Sequence, residues 1–200
     1  IMTNKKRLEN EQSFHDKRFS KPGGLRSDIK KYYSINKIAE EIYYSIISNN
    51  CKGKKLLELG CGTGDNLEIF HNFGASVTGI DISIEGINKA NQKINDTKLN
   101  ASYSVMNAED TDFENNIFDI VVGTGIIHHL DLKTIYQEIS RLLNDHGHAV
   151  FIEPLGHNPI INLYRKLTPH IRTPDEHPLK RKDLKLLKKY FRNIEIQYFS

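Results

Sequence analysis

The stretch that decides the fold is Leu56-Leu57-Glu58-Leu59-Gly60-Cys61-Gly62-Thr63-Gly64-Asp65. An apolar run that leads into three glycines at alternate positions predicts a strand, then a tight turn, then a helix. Glycine has no Cβ, so it allows the backbone to take positive φ and to approach a ligand closely. We therefore expect a nucleotide-type site at the carboxyl end of this strand, the edge where open α/β sheets bind their ligands.

The spacing of the glycines separates two kinds of ligand. A dinucleotide-binding turn has the pattern G-x-G-x-x-G and aims a helix N-terminus at a pyrophosphate, whereas Gly60, Gly62 and Gly64 form G-x-G-x-G. Glu58 adds negative charge beside the ligand, which suits a cationic group better than a phosphate. An NAD-linked oxidoreductase is therefore the less favoured alternative.

Further polar residues fall at the ends of the next two strands. Asp81, in Gly79-Ile80-Asp81-Ile82, closes the second strand about 20 residues after the glycines, the offset that such a unit requires. A carboxylate at this position accepts hydrogen bonds from two ribose hydroxyls. Asn107-Ala108-Glu109 follows the third strand, where we expect an amide or backbone contact with adenine.

Short β-rich runs alternate with helical stretches along the chain, which predicts parallel strands joined by crossover helices. The predicted strands are 55–59, 76–81, 101–106, 118–123, 148–153 and 194–199. The predicted helices are 33–47, 65–73, 84–94, 132–143 and 182–191. The fold class is therefore α/β, with a Rossmann-like, mostly parallel sheet and helices on both of its faces.

The N-terminal part of the chain departs from this pattern. Residues 1–31 are polar and have no apolar period, which predicts a mobile or partly helical arm. We assign 1–50 to this N-terminal helical arm with the helix that follows it, as a lid or cap. Residues 51–200 form the ligand-binding domain, with an insertion at 154–178.

The C-terminal end raises a question of pairing. The predicted strand at 194–199 is apolar and has no partner sequence after it. An unpaired edge strand promotes aggregation. We therefore expect an incomplete C-terminal antiparallel hairpin, and either a chain that continues past Ser200 or a second chain that completes the strand.

Composition limits the class of protein. With 200 residues and 38% hydrophobic content, the chain is long enough for one globular domain with a substantial core. No stretch approaches the roughly 18 consecutive apolar residues of a membrane-spanning helix. The two cysteines, Cys51 and Cys61, are too few for a disulfide framework and fit a reducing cytoplasm.

The net charge of +3 is unevenly distributed. Residues 1–37 carry ten Lys and Arg against four acidic residues, and residues 179–192 carry seven against one, so the segment between them is acidic. An acidic core does not resemble a nucleic-acid groove, and we expect no nucleic-acid partner. Membrane contact through the basic helix at 179–192 is an alternative, but packing of its apolar stripe on the sheet is favoured.

Five segments together resemble class I S-adenosylmethionine-dependent methyltransferases, in particular the small-molecule branch that includes quinone-biosynthesis enzymes. They are Glu58–Gly64, Gly79–Ser83, Asn107–Glu109, Phe118–Val122 and Ile127–Leu130, and the resemblance spans residues 53–153. It implies S-adenosylmethionine as the cofactor and S-adenosylhomocysteine as the product. Such proteins often carry Asp where Asn107 stands, and an Asn can still accept a hydrogen bond from the adenine amino group.

The resemblance also implies where the cofactor binds. The backbone of Gly60 and Gly62 holds the methionine part, Asp81 holds the ribose, and Ala108 with Glu109 holds the adenine. The complete set of cofactor-binding candidates is Glu58, Gly60, Cys61, Gly62, Gly64, Asp81, Ile82, Asn107, Ala108, Glu109 and Thr124. In similar enzymes an N-terminal arm folds over the cofactor as a lid, which is one interpretation of Phe14-His15-Asp16. Ordinary surface positions are the other interpretation.

His128 and His129 follow the fourth strand, at the edge where a methyl acceptor must meet the cofactor. Either histidine could remove a proton from a hydroxyl or an amine. Packing or substrate positioning is the favoured alternative, because a sulfonium is already a strong electrophile and alignment supplies much of the acceleration. The candidates for contact with the acceptor are Tyr33, His157, Arg172 and His177. No metal site is expected, because the histidines and acids within 154–178 are irregularly spaced.

The sequence thus predicts transfer of a methyl group from S-adenosylmethionine to an oxygen, nitrogen or carbon nucleophile of a small-molecule or lipid-like metabolite. The alternative is a non-catalytic cofactor-binding module that docks to a membrane or to a partner protein. The oligomeric state does not follow from the sequence.

Overall fold

The centre of the molecule is a five-stranded sheet in the order β3-β2-β1-β4-β5, with every pair of neighbouring strands parallel. The computed structural model describes residues 4–20, 33–97, 99–157, 162, 167 and 177–199. The strands are β1 (Lys55–Leu59), β2 (Ser76–Asp81), β3 (Ala101–Val105), β4 (Phe118–Thr124) and β5 (Leu143–Ile152). This arrangement confirms the predicted Rossmann-like α/β fold and places β1 at the centre of the sheet.

Helices precede, follow and connect these strands. They are α1 (Asn4–Ser20), α2 (Tyr33–Ser48), α3 (Leu67–Asn72), α4 (Ile84–Thr97), α5 (Leu132–Leu142) and α6 (Arg181–Leu186). Short 3₁₀ turns occur at Ile127–His129 and Leu187–Lys189. The crossover from β1 to β2 passes through α3, and the crossover from β2 to β3 passes through α4.

The side chains of β1 divide the core into two halves. Because successive side chains of a strand point to opposite faces, Leu56 belongs to the apolar cluster formed with α2, α3 and α4, while Leu57 and Leu59 belong to the cluster formed with α5. The three leucines are completely buried. The same alternation places Glu58 on the same face of the sheet as Leu56. An acidic side chain thus lies at the boundary between this half of the core and the functional site.

The bounds of the strands agree with the sequence prediction to within one residue, except at the start of β5. β1 and β2 begin and end at the predicted residues, whereas β5 begins at Leu143 and not at 148. The first residues of β5 include the polar Asn144, Asp145 and His146, so the sequence shows no apolar run there. The register of β5 against β4 is also irregular between Phe118 and Ile120. Strand formation there depends on the neighbouring strand and not on local composition.

The predicted strand at 194–199 is wrong. These residues form no strand, and β5 pairs only with β4 among the strands that the structure describes. Ile196, Tyr198 and Phe199 are exposed. An apolar run becomes a strand only where a neighbour accepts and donates its backbone hydrogen bonds. A longer C-terminal hairpin stays a prediction.

The structure describes only parts of the predicted N-terminal arm and of the insertion at 154–178. α1 occupies residues 4–20 of the predicted arm, which is therefore helical over this range. The insertion at 154–178 lies mostly outside the described residues, but Gly156 N at its start donates to Leu179 O at 2.9 Å and Leu179 N donates to Pro154 O at 3.1 Å. The division of the chain at residue 50 stays a prediction.

Gly79→Ala tests the contact between β2 and β3. Gly79 lies opposite Tyr103, and a Cβ at Gly79 would lie 2.1 Å from Tyr103 Cε1. We expect a loss of about 1–3 kcal/mol in the free energy of unfolding, measured by urea denaturation, because overpacking forces the buried ring to move. The control is Gly53→Ala, where φ is +72° and no atom lies within 4 Å of the new Cβ, so that only backbone strain of about 1 kcal/mol applies. A smaller loss for Gly79→Ala than for Gly53→Ala would contradict this packing.

Candidate functional site

A cavity of about 320 Å³ opens at the carboxyl ends of β1, β2 and β4, and α1 forms its roof. This is the edge of the sheet that the glycine turn predicted. Nine predicted cofactor-binding residues line the cavity, so the fold brings most of that set together. They are Glu58, Gly60, Cys61, Gly62, Asp81, Ile82, Asn107, Ala108 and Thr124.

The glycine turn has the backbone conformation that its sequence predicted. Gly60 and Gly62 have φ of 67° and 54°, values that strain any residue with a Cβ. Space is also restricted, because a Cβ would meet Ile126 at Gly60 and the Phe19 ring at Gly62, each at 3.0 Å. The turn therefore presents bare backbone to the cavity.

Cys61 lies inside this turn and is buried. Burial raises the pKa of its thiol above the ordinary value, and the negative charges of Glu58 and Asp81 raise it further. A thiolate is the form that attacks electrophiles. The prediction that Cys61 is a small filling residue and not a nucleophile agrees with this direction and stays a prediction.

Asp81 connects the glycine turn to the end of β2. Its Oδ2 accepts a hydrogen bond from Gly62 N and its Oδ1 accepts one from Ser83 N, both at 2.8 Å. The side chain lines the cavity and is buried. Because each carboxylate oxygen can accept more than one hydrogen bond, Asp81 can hold the turn and still bind hydroxyls of a ligand.

Glu58 is the second carboxylate of the cavity. Its Oε1 accepts a hydrogen bond from Asn66 Nδ2 at 2.6 Å, while its Oε2 is buried without a hydrogen-bond partner among the described residues. Burial is the main cause that raises the pKa of Glu58 to about 7, and the charges of Asp65 and Asp81 raise it as well. A buried carboxylate oxygen of this kind is stabilised by a cationic ligand.

Two predicted cofactor residues do not line the cavity. Gly64 packs against α4 and β3, since a Cβ there would meet Ala90 at 3.0 Å. Glu109 is turned away from the cavity, where its carboxylate pairs with Arg7 and accepts a hydrogen bond from Asp131 N. Its backbone N donates to Asn107 Oδ1 at 3.1 Å, which orders the loop after β3.

The two adjacent histidines have different surroundings. His128 Nδ1 lies 2.8 Å from Glu153 Oε2, and His128 is not among the residues that line the cavity. Glu153 Oε1 also accepts hydrogen bonds from Ile126 N and Ile127 N at 2.9 and 2.8 Å, so that this carboxylate caps the 3₁₀ turn. His129 does line the cavity, with its Nδ1 3.4 Å from Glu11 Oε2.

The roof is the part of the site that the sequence analysis specified least. Six α1 residues line the cavity, namely Arg7, Leu8, Glu11, His15, Arg18 and Phe19. α1 has no apolar stripe that predicts its position, and polar contacts attach it. Gln12 Nε2 donates to Ile82 O at 3.0 Å, and Asp16 Oδ1 accepts from Ser83 Oγ at 2.5 Å and from Glu85 N at 3.1 Å. The only sequence signal for this arrangement was the triplet Phe14-His15-Asp16.

The predicted acceptor-contacting residues are not assembled in the cavity. His157 is exposed and its Nε2 accepts a hydrogen bond from Arg181 N at 3.3 Å. His177 is exposed as well, and its backbone N donates to His128 O at 2.9 Å. Arg172 lies outside the described residues, as does the side chain of Tyr33. Contact of these four with an acceptor stays a prediction.

The basic C-terminal segment packs only partly on the sheet. α6 has no buried residue, although Leu184 and Leu187 contact the apolar cluster around α5. None of the helices among the described residues combines the length and apolar composition needed to cross a bilayer.

Comparison with known proteins relates the chain to a protein family. Residues 57–151 match the methyltransferase domain family. A ubiquinone biosynthesis O-methyltransferase of Glaesserella parasuis is 31% identical over 139 residues, which cover 66% of this chain and 57% of that protein. An uncharacterized protein of Methanocaldococcus jannaschii is 33% identical over 135 residues, which cover 62% of this chain and 50% of that protein. The chain thus spans little more than half the length of these relatives.

The fold agrees with that family. The solved structure of geranyl diphosphate C-methyltransferase from Streptomyces coelicolor superimposes with a TM-score of 0.71 at 16% identity, covering 92% of this chain and 78% of that chain. Residues 57–151 are therefore a methyltransferase domain, and this structure shows the same fold. The predicted methyltransferase domain and fold are confirmed, and S-adenosylmethionine stays the cofactor that the sequence predicts.

The residues present fit this cofactor. S-adenosylmethionine carries an ammonium and a sulfonium group, and Glu58 Oε2 is a buried acceptor on the cavity wall that lacks a partner among the described residues. The positive-φ glycines add no side chain of their own to the same region. The cavity therefore offers negative charge and open backbone where a cationic nucleoside requires them.

Glu58→Gln tests the burial of this carboxylate through the pH dependence of stability. Because the pKa of Glu58 is about 7 in the folded protein against an ordinary value of 4.5, the folded state keeps a proton that the unfolded state loses between these pH values. Wild-type stability therefore falls as pH rises through this window. Gln does not titrate, so the variant does not lose this stability. The free energy of unfolding of the variant minus that of the wild type should therefore rise by about 3 kcal/mol from pH 4.5 to pH 7.

Urea denaturation of both proteins at several pH values measures this difference. The control is Glu114→Gln, which removes an exposed carboxylate away from the cavity. A difference between Glu58→Gln and wild type that does not change with pH would contradict the burial of an ionisable Glu58.

Proposed function

We propose that the chain transfers a methyl group from S-adenosylmethionine to an oxygen, nitrogen or carbon nucleophile of a small-molecule or lipid-like metabolite. The observation that carries this proposal is the pair of buried carboxylates, Glu58 and Asp81, beside the glycine turn in one cavity. Of the similar proteins, that of Glaesserella parasuis is an O-methyltransferase and that of Streptomyces coelicolor is a C-methyltransferase. They support the type of reaction and leave the acceptor atom open.

The cofactor is held by the residues that line the cavity at the carboxyl ends of β1, β2 and β3. Glu58 Oε2 accepts a hydrogen bond from the methionine amino group, and the bare backbone at Gly60 and Gly62 lets the amino-acid part approach closely. Asp81 accepts hydrogen bonds from the ribose hydroxyls while it continues to hold Gly62 N. The adenine lies against the loop at Asn107 and Ala108, which lines the same cavity.

The reaction depends more on alignment of the acceptor with the methyl group and on exclusion of water than on a strong base. The bond between sulfur and the methyl carbon breaks with its electron pair remaining on sulfur, and the acceptor forms a new bond to that carbon. Positioning of the acceptor in line with this bond supplies much of the rate, and the roof formed by α1 keeps water from the sulfonium. His129 lies on the cavity wall and contacts the acceptor, whereas His128 acts as a positioning residue through Glu153.

The setting of the reaction follows from less direct observations. Cys51 and Cys61 are both free thiols and both buried, which supports a reducing, cytoplasmic environment. The similarity to a ubiquinone biosynthesis O-methyltransferase and to a geranyl diphosphate C-methyltransferase supports a small-molecule acceptor.

Asp81→Ala tests the placement of the cofactor. Calorimetry with S-adenosylhomocysteine should show affinity reduced at least about tenfold, because each hydrogen bond to a charged acceptor contributes roughly 1.5–3 kcal/mol. The control is Asp119→Ala, which also removes an aspartate that accepts a backbone hydrogen bond, from Lys55 N at 2.8 Å, but at the opposite end of the sheet. Unchanged affinity in Asp81→Ala, or binding of NAD⁺ in place of S-adenosylhomocysteine, would contradict the placement.

His129→Ala tests the acceptor side. With any acceptor found by screening metabolites for release of S-adenosylhomocysteine, we expect turnover to fall by about 10²-fold or more if the imidazole assists proton removal, while affinity for S-adenosylhomocysteine is retained. His146→Ala, at an exposed histidine of β5, is the control. Binding of the cofactor without methylation of any acceptor by the wild type would favour the non-catalytic module, and an unchanged rate in His129→Ala would assign this residue to packing.

A further inference from the structure

Glu11, His15 and His129 form a cluster on the acceptor side of the cavity. Glu11 Oε2 lies 3.5 Å from His15 Nε2 and 3.4 Å from His129 Nδ1. One ligand-type atom from each residue lies within 4.8 Å of the other two. The cluster joins the roof helix to the turn after β4, so the sequence alone could not reveal it.

We propose that Glu11, His15 and His129 bind a divalent transition-metal ion of the zinc class. Two imidazoles and one carboxylate are a ligand set that proteins use for Zn²⁺ in catalytic sites and for related ions. Bonds of about 2.0–2.2 Å place neighbouring ligands of a tetrahedral ion about 3.3–3.6 Å apart. The two distances from Glu11 Oε2 agree with this spacing before any ion is added.

The fold sets this geometry from both sides. Glu11 and His15 are four residues apart on α1, so they lie on the same face of the helix. Asp16, next to His15, is bound to Ser83 Oγ and Glu85 N, which fixes the end of α1 over α4. Preorganised ligands bind a metal without the cost of ordering a flexible loop.

His129 is fixed independently of α1. Glu153 caps the 3₁₀ turn that carries His129 by accepting hydrogen bonds from Ile126 N and Ile127 N. Arg7 Nη1 donates to His129 O at 3.1 Å and so ties this turn to the roof. Neighbours of this kind orient metal ligands and hold them in place.

Burial and charge also favour a cation at this position. Glu11 is 4% exposed and His129 is 8% exposed, and a buried carboxylate is stable when it is paired or coordinates a metal.

The three ligands all line the cavity, so the remaining coordination position faces the space for the acceptor. A hydroxyl of the acceptor that binds there loses its proton to water more easily, because the ion stabilises the oxygen anion. The oxygen anion then forms the bond to the methyl carbon while the cofactor sulfur keeps the electron pair of the broken bond. This catalytic role rests on the proposed function, whereas metal binding does not.

Metal titration of the full chain tests the site. After treatment with EDTA and removal of the chelator, the protein is titrated with Co²⁺, followed by its visible absorption, and with Zn²⁺, followed by calorimetry. We expect one ion per chain and an affinity lowered at least about tenfold in Glu11→Gln and in His15→Ala, since each loses one of three ligands. His146→Ala removes an exposed histidine outside the cluster and should bind like the wild type.

A circular-dichroism spectrum like that of the wild type shows that each metal-free variant is folded, and binding of S-adenosylhomocysteine separates the two proposals. Absence of saturable metal binding to the folded wild type overturns the metal site, and cofactor binding by the same sample leaves the proposed function standing. Metal affinity that is the same in wild type, Glu11→Gln and His15→Ala, or that falls equally in His146→Ala, overturns it as well. Metal binding that depends on Glu11 and His15 supports the site even if S-adenosylhomocysteine does not bind, a result that would overturn only the proposed function.

Discussion

The hydrogen bond from Gly62 N to Asp81 Oδ2 is the contact on which the site depends. It holds a turn that contains three positive-φ glycines against the end of β2, and the second oxygen of the same carboxylate binds Ser83 N at the start of α4. Parallel strands bring the two segments to one edge of the sheet, but they do not fix the distance between them. Asp81 fixes that distance, and the cavity has its shape because of it.

The roof over this cavity is held in a different way. α1 carries no apolar stripe and is attached through Arg7, Gln12 and Asp16. Hydrogen bonds that replace contacts with water contribute only about 0.5–1.5 kcal/mol each, whereas the sheet below is held by completely buried leucines. A part of the structure that depends on a few polar contacts opens at a lower free energy than the core, which is the condition that exchange of a cofactor requires.

The sequence predicted what depends on local pattern and missed what depends on distant partners. β1 and β2 have the predicted bounds because their apolar runs end at Gly60 and Asp81, and both signals are local in the sequence. The start of β5 and the end of the chain were wrong because hydrogen bonding to a neighbour, and not apolar content, decides whether a strand forms. The contacts of α1 were missed for the same reason, since they join residues that are far apart in the chain.

The adjacent histidines show why a motif cannot assign a role by itself. In a 3₁₀ turn successive side chains point about 120° apart. His128 therefore bonds to Glu153 outside the cavity, while His129 faces the cavity. The uneven charge of the sequence has a similar explanation. The basic N-terminal segment lies over an acidic domain, and Arg7 forms an ion pair with Glu109. Part of the uneven charge is therefore compensated within the chain.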